Sequence, residues 1–163
     1  MMEYRTTHDS PLGLLTLAAD GMCLTGLWTD GQKRFGGAKL QEYTIDDNLL
    51  IFARVRDWLD AYFARQKPPD LDFLLSPAGT PFQKRVWAAL RGIAYGTVTT
   101  YGAIAEKLDC PAAQAIGGAV ARNPISIIIP CHRVIGADGT LTGYAGGLER
   151  KKWLLALETA AGF

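Results

Sequence analysis

A short segment rich in proline and glycine, Ser76-Pro77-Ala78-Gly79-Thr80-Pro81, divides this chain of 163 residues into two halves of different patterning. The first half reads as strands followed by a helix, and the second as a series of short helices, so the fold expected is α/β. It comprises a small N-terminal α/β unit over residues 1–76, with an antiparallel sheet plus a helix, and a mostly helical C-terminal unit over 77–163. With 48% apolar residues, the chain has enough material for a packed core.

In the first half, Tyr4 to Thr7, Leu14 to Ala19 and Met22 to Trp28 read as strands, with Asp20-Gly21 as a hairpin turn. Residues 30–47 read as an irregular connection. From Asp47, a predicted N-cap, the spacing of Ile51, Val55, Trp58, Leu59 and Tyr62 predicts one amphipathic helix. Leu71 to Leu75 reads as a short strand.

After the linker, Thr80 and Pro81 open a helix with Phe82, Val86, Ala89 and Leu90 on its apolar face, and Gly92 closes it. Two short helices follow, Tyr101 to Leu108 capped by Thr100 and Ala112 to Arg122, separated by Asp109-Cys110-Pro111. This is helix-turn-helix spacing, and it suits either a DNA-binding unit or paired core helices. The second helix, AAQAIGGAVAR, has few long side chains besides Gln114 and Arg122 and holds two glycines that a helix ordinarily avoids. Its surface suits close backbone approach, to another helix or to a groove read with little sequence preference.

Net charge is +1, but residues 1–80 carry 8 Lys/Arg against 11 Asp/Glu and residues 81–163 carry 9 against 5, which is −3 against +4. The asymmetry suits a polyanion docking on the second half and equally suits ordinary surface variation, so charge alone does not establish nucleic-acid binding. No apolar run approaches the length of a spanning helix, and the opening MMEYRTTHDS lacks a signal core, so the expectation is a cytoplasmic chain with no membrane partner, nucleoid-associated in a prokaryote. The cysteines at 23, 110 and 131 lack disulfide or zinc spacing, and no metal or cofactor is expected.

Ile125-Ser126-Ile127-Ile128-Ile129 reads as a buried strand that delivers Cys131 at its end, next to His132. An imidazole oriented by a carboxylate favours thiolate, but adjacent residues pair only if the backbone turns, and Pro130 makes a turn available. The pair by itself is compatible with a reactive thiol or with an inert buried one. Cys23 and Cys110 have no base beside them and read as passive. His8 reads as surface, and the four tryptophans, Trp87 and Trp153 among them, read as core.

The motifs NPISIIIPCHRVIG, GYAGGLERKKWLLALE and TPFQKRVWAALRGIAYGTVTTYGAIAEKL together resemble the O6-alkylguanine-DNA alkyltransferases over roughly residues 80–160. SPLGLLTLAADGMCLTGLW extends the resemblance to the family's opening hairpin. The resemblance implies a repair protein that takes an alkyl group from guanine O6 in double-stranded DNA onto its own Cys131, once per molecule; O4-methylthymine stays open as a further substrate. It implies that His132 acts through water as base, Glu158 orients it, and Asn123 braces the active-site turn. Tyr101 donates toward guanine N3, the carbonyls of Cys131 and Val134 accept from the guanine amino group, and Tyr144 with the Ala145 N–H closes over the flipped base. Gln114 stands where most members carry an arginine that enters the base stack, and the turn before it is one residue short. Arg122 is the remaining cation on that helix, while Arg133 reads as structural or phosphate-facing. The implied state is a monomer, with cooperative assembly on DNA left open. A cysteine hydrolase using Cys131, His132 and Glu158, and a module that binds lesions without reacting, are the competing readings.

Overall fold

A computed structural model describes residues 2–33 and 39–161. Its first half is a sheet in the order β3-β2-β1-β4, formed by β1 (Tyr4–Ser10), β2 (Gly13–Ala19), β3 (Leu24–Thr29) and β4 (Thr44–Ile45). The first three strands pair antiparallel as predicted, and β4 adds a parallel edge beside β1. At the hairpin turn the Asp20 carboxylate accepts from the amides of Met22 (3.0 Å) and Cys23 (2.9 Å), which fixes the reversal.

Leu15, Leu17 and Ala19 alternate along β2 and face the main core, where α1 (Leu50–Phe63) buries Ile51, Val55, Leu59 and Tyr62 at helical spacing. Asp47 is not the N-cap. Leu49 occupies that position without a side-chain cap, and the Asp47 carboxylate accepts from Thr6 Oγ1 on β1 instead. The connection read as irregular contains a 3-10 turn, Leu40–Glu42, as well as β4; its residues 34–38 lie outside those described. Leu71 to Leu75 is not a strand: the Asp70 carboxylate accepts from Asp72 N (2.9 Å) and starts a 3-10 turn, Asp72–Leu74, leaving only Leu75 bridged to Leu24.

The second half begins with α2 (Pro81–Arg91), whose Thr80 and Gln83 form a reciprocal capping box. The linker before it is packed down. A side chain added at Gly79 would stand 2.4 Å from the Trp87 ring, and Trp87 Nε1 donates to Ala119 O (2.9 Å) on α4. Then come β5 (Thr99–Thr100), α3 (Tyr101–Lys107), capped by Thr100, and α4 (Ala113–Ala121). The turn between the two helices is tight, with Asp109 at φ 54°. After the active-site segment come β6 (Val134–Ile135), parallel to β5, and α5 (Leu148–Ala161). The main core is continuous across both halves, joining Leu17 and Phe52 to Ile116, Ile129 and Leu154. Trp87 is buried as expected, but Trp153 is 38% exposed and lies against Phe63 at the surface. No helix among the described residues is long and apolar enough to cross a membrane.

Candidate active site

The isoleucine-rich segment before Cys131 does not form the strand that its composition predicts. Ile125 bridges Leu27 on the edge of β3, where Leu27 N donates to Pro124 O (2.8 Å) and Ser126 N donates to Leu27 O (3.0 Å). The chain then turns sharply, with Ile127 at φ 72°, a costly conformation for a β-branched residue. Asn123 closes the turn from inside: its Nδ2 donates to Ile129 O (2.8 Å) and its Oδ1 accepts from Ile125 N (3.0 Å). Residues 125–129 are all buried, so these side-chain bonds replace those a ladder would supply.

Pro130 leads into a 3-10 turn over Cys131–Arg133, which places Cys131 and His132 on one tight loop. Cys131 is 6% exposed and lies at a narrow crevice bordered by Val120, Asn123, Ser126, Tyr144 and Ala145. Burial pushes its thiol up from the usual range, while the Asn123 side chain and the charge of Lys151 pull the other way. Lys151, fully buried on α5, donates through Nζ to Val134 O (2.5 Å) and Thr142 O (2.8 Å). One cation thus sits near the thiol and fixes the loop that follows.

Behind the thiol, Glu158 gathers donors from three parts of the chain. His132 Nε2 (2.5 Å), Tyr62 Oη (2.6 Å) and Arg133 Nη2 (3.0 Å) reach Oε2, while Arg133 Nε (2.7 Å) and Gly96 N (3.3 Å) reach Oε1. Burial alone would raise the Glu158 carboxyl, but the hydrogen bonds from His132 and Arg133, with the Arg133 charge, outweigh it and hold the group at about 2. Glu158 is therefore ionised at neutral pH. The His132 nitrogen facing it must donate, which leaves Nδ1 as the basic nitrogen. Burial lowers the imidazole, with Glu158 opposing, so His132 is neutral at rest. Its Nδ1 has no hydrogen-bond partner among the described residues and is free to take up a proton.

Cys131, His132, Glu158, Asn123, Val134, Tyr144 and Ala145 thus come together. Tyr101 is not among the residues lining the crevice but lies beside Gly143, which is, with its hydroxyl donating to Thr142 O (3.3 Å) and its ring over Gly117 of α4. Gln114 is exposed on α4, and Arg122 turns back to donate to Gly118 O (3.1 Å); neither lines the crevice. Arg133 is not phosphate-facing. It is buried, paired with Glu158, and donates to Ile93 O (2.8 Å). Sequence reading missed Tyr62, Lys151 and the carboxylate-holding role of Arg133; Tyr62 sat in the apolar pattern of its helix, and no local pattern sets Lys151 apart from Lys152. Among the described residues, no group of three or more His, Cys, Asp or Glu could hold a metal ion.

Two family models match the chain almost end to end: the 6-O-methylguanine DNA methyltransferase DNA binding domain over residues 81–160, and the ribonuclease-like domain of the same proteins over residues 3–77. This chain belongs to the 6-O-methylguanine DNA methyltransferase family. Among its methyltransferase relatives, the methylated-DNA–protein-cysteine methyltransferase of Mycolicibacterium paratuberculosis is 46% identical over 97% of this chain and 93% of the relative. The protein of that name from Haemophilus influenzae is 43% identical, covering 95% of this chain and 86% of its own. The crystal structure of Mycobacterium tuberculosis OGT in complex with DNA is similar with a TM-score of 0.85 at 45% identity, over 99% of this chain and 94% of that one. Within a methyltransferase of this family, a thiol beside a neutral imidazole and a buried carboxylate is suited to nucleophilic displacement at carbon.

Proposed function

We propose that this protein repairs DNA by transferring the methyl group of O6-methylguanine irreversibly to its own Cys131, one turnover per molecule. The observation that carries this reading is the convergence of Cys131, His132 and Glu158 on one buried turn, in a chain whose relatives are methylated-DNA–protein-cysteine methyltransferases. DNA is the partner, and the alkylated guanine enters the crevice flipped out of the duplex. Extrusion costs a few kcal/mol, and phosphate contacts offset it.

In the transfer, the Cys131 proton passes through water to His132 Nδ1, and the thiolate forms a new S–C bond with the methyl carbon. The C–O bond breaks with its electron pair left on guanine. Tyr101 donates a proton toward N3 of the leaving base, and the proton held by His132 replaces it, so the thiol proton ends on guanine. Glu158 keeps the imidazole in the required tautomer, and Asn123 holds the turn. The carbonyls of Cys131 and Val134 accept from the guanine amino group. At Val134 that bond takes the lone pair left by Lys151. Tyr144 and the Ala145 N–H close over the base, while Gln114 and Arg122 meet the duplex. The thioether product has no polarised carbonyl for water to attack, so Cys131 is not regenerated.

Residues 1–76 and 77–163 act as a supporting unit and a reactive unit of one monomer, working in the cytoplasm where the DNA lies. The test is intact mass after incubation with duplex containing O6-methylguanine. A permanent gain of one methyl group per molecule supports the reading. An unchanged mass overturns it in favour of lesion binding alone, and repeated turnover without mass gain points to a hydrolase.

A further inference from the structure

A short, buried polar link between the two halves ends on Glu158. Tyr62, on α1, is 1% exposed and donates its hydroxyl to Glu158 Oε2 at 2.6 Å, across 96 positions of sequence. A core position that needed only an aromatic ring would be filled equally well by phenylalanine. Here the ring is held on three sides, stacked on Trp58 at 5.2 Å and edge-on to Phe63 at 5.3 Å and Tyr95 at 6.0 Å. The hydroxyl therefore has little freedom to leave the carboxylate.

A carboxylate offers about four lone-pair sites. Glu158 receives five donor groups, and three of them, from Tyr62, His132 and Arg133, share Oε2. Donors crowded on one oxygen compete, so the hydrogen bond from Tyr62 draws off negative charge that would otherwise stabilise a proton on His132. We propose that Tyr62 is a positioning residue for the transfer: from the N-terminal half it holds Glu158 in place and limits how strongly that carboxylate pulls a proton onto His132. This rests on the reading of Cys131 as acceptor and His132 as its base.

The groups that face the His132–Glu158 pair come from every element around it. They are Lys151 on α5, Cys131 and Arg133 on the 3-10 turn, Tyr95 between α2 and β5, Tyr144 in the closing loop, and Tyr62. All but Tyr62 belong to the C-terminal half. The Leu27 bonds tie the backbone before the thiol to the N-terminal sheet, whereas Tyr62 brings the N-terminal helix to the carboxylate itself.

The test is Tyr62→Phe in the full chain, with the single-turnover methyl transfer rate followed against pH and the imidazole nitrogens of His132 titrated by NMR without DNA. Loss of the hydroxyl should raise the protonation midpoint of His132 by about half a pH unit and move the acid limb of the rate profile up equally. Replacing Tyr62 site-specifically with 3-fluorotyrosine, a stronger donor of the same shape, should move both the other way. A uniform fall in rate and melting temperature with both midpoints unmoved would overturn the proposal, leaving Tyr62 as packing. Should Tyr62→Phe fail to fold, the fluorotyrosine protein decides alone. If the native protein gains no methyl group, the reading of Cys131 fails, while the NMR titration still decides for or against Tyr62.

Discussion

Two regions of the C-terminal half are built on opposite principles. The Glu158 cluster behind the thiol is buried, and every carboxylate lone pair is in use. The outer face of α4 is exposed and nearly featureless, with Gln114 unburied and Arg122 folded back on its own helix. On the function proposed above, the chemistry is preorganised in a dry interior, where each hydrogen bond counts heavily, and recognition is left to an open surface whose contacts are screened and interchangeable. Substitutions in the first region should have large effects and those in the second small ones.

The largest effect is expected at the thiol. Cys131→Ala should abolish methyl transfer while duplex binding, followed by fluorescence anisotropy, stays near the native value, because the thiol is buried away from the surface. Transfer that survives in this variant would end the assignment.

Next comes Glu158→Gln. The rate per folded molecule in rapid-quench experiments should fall about 100-fold, because the His132 tautomer is no longer enforced and Arg133 loses its counter-ion. The same variant should alter acid unfolding. A carboxyl held at about 2 in the fold, against an ordinary 4.5, contributes stability that is complete above 4.5 and lost as pH falls toward 2. His132, lowered from 6.5 by burial, also favours unfolding on acidification, beginning below 6.5. Native protein should therefore lose stability in both windows, and Glu158→Gln should flatten the lower one. An unchanged acid profile in the variant would place Glu158 outside the coupled network.

Asn123→Ala tests the brace rather than the chemistry. It strips the side-chain partner from the buried Ile125 N, while Ile129 O keeps its bond from Cys131 N (2.8 Å), and should lower unfolding free energy by about 2 kcal/mol in urea titrations. A loss below ~1 kcal/mol would show that the turn holds itself.

The smallest effect belongs to the exposed helix. Gln114→Arg adds a cation and a planar stacking group where the chain offers only neutral hydrogen bonds. The second-order transfer rate on duplex DNA should rise about fivefold, roughly 1 kcal/mol, with little change on free O6-methylguanine base, which needs no flipping. Equal effects on both substrates would mean that extrusion is not where Gln114 acts, and would erase the division between the two regions.

Legibility in the sequence followed the range of the forces involved. The hairpin, the Thr80 cap and the paired helices after Thr100 were readable because their signals are local: turn residues, caps and apolar spacing within a few positions. The run Ile125 to Ile129 misled because β-branched composition marks burial as well as strands, and only the Asn123 amide and the short bridge to β3 decide for a turn. Asp47 misled similarly, since Thr6, far away in sequence, captures the carboxylate expected to cap α1. In the candidate site, the motif residues could be named, but Tyr62 and Lys151 could not. Their partners lie 96 and 17 positions away, and nothing in helical periodicity separates a tyrosine that packs from one that donates.

The linker glycine pressed against Trp87 bears on how copies of this protein share a lesion-bearing genome. Exchange of halves between neighbours requires a connecting segment that can peel away and straighten. This one is clamped to the helix it introduces, and Ser76 N beside it is tied to Leu24 O (2.8 Å). Domain-swapped dimers are accordingly disfavoured. On the function proposed above, each chain that meets damage would bring its own acceptor thiol, and the repair capacity of a cell would be a head-count of unreacted molecules.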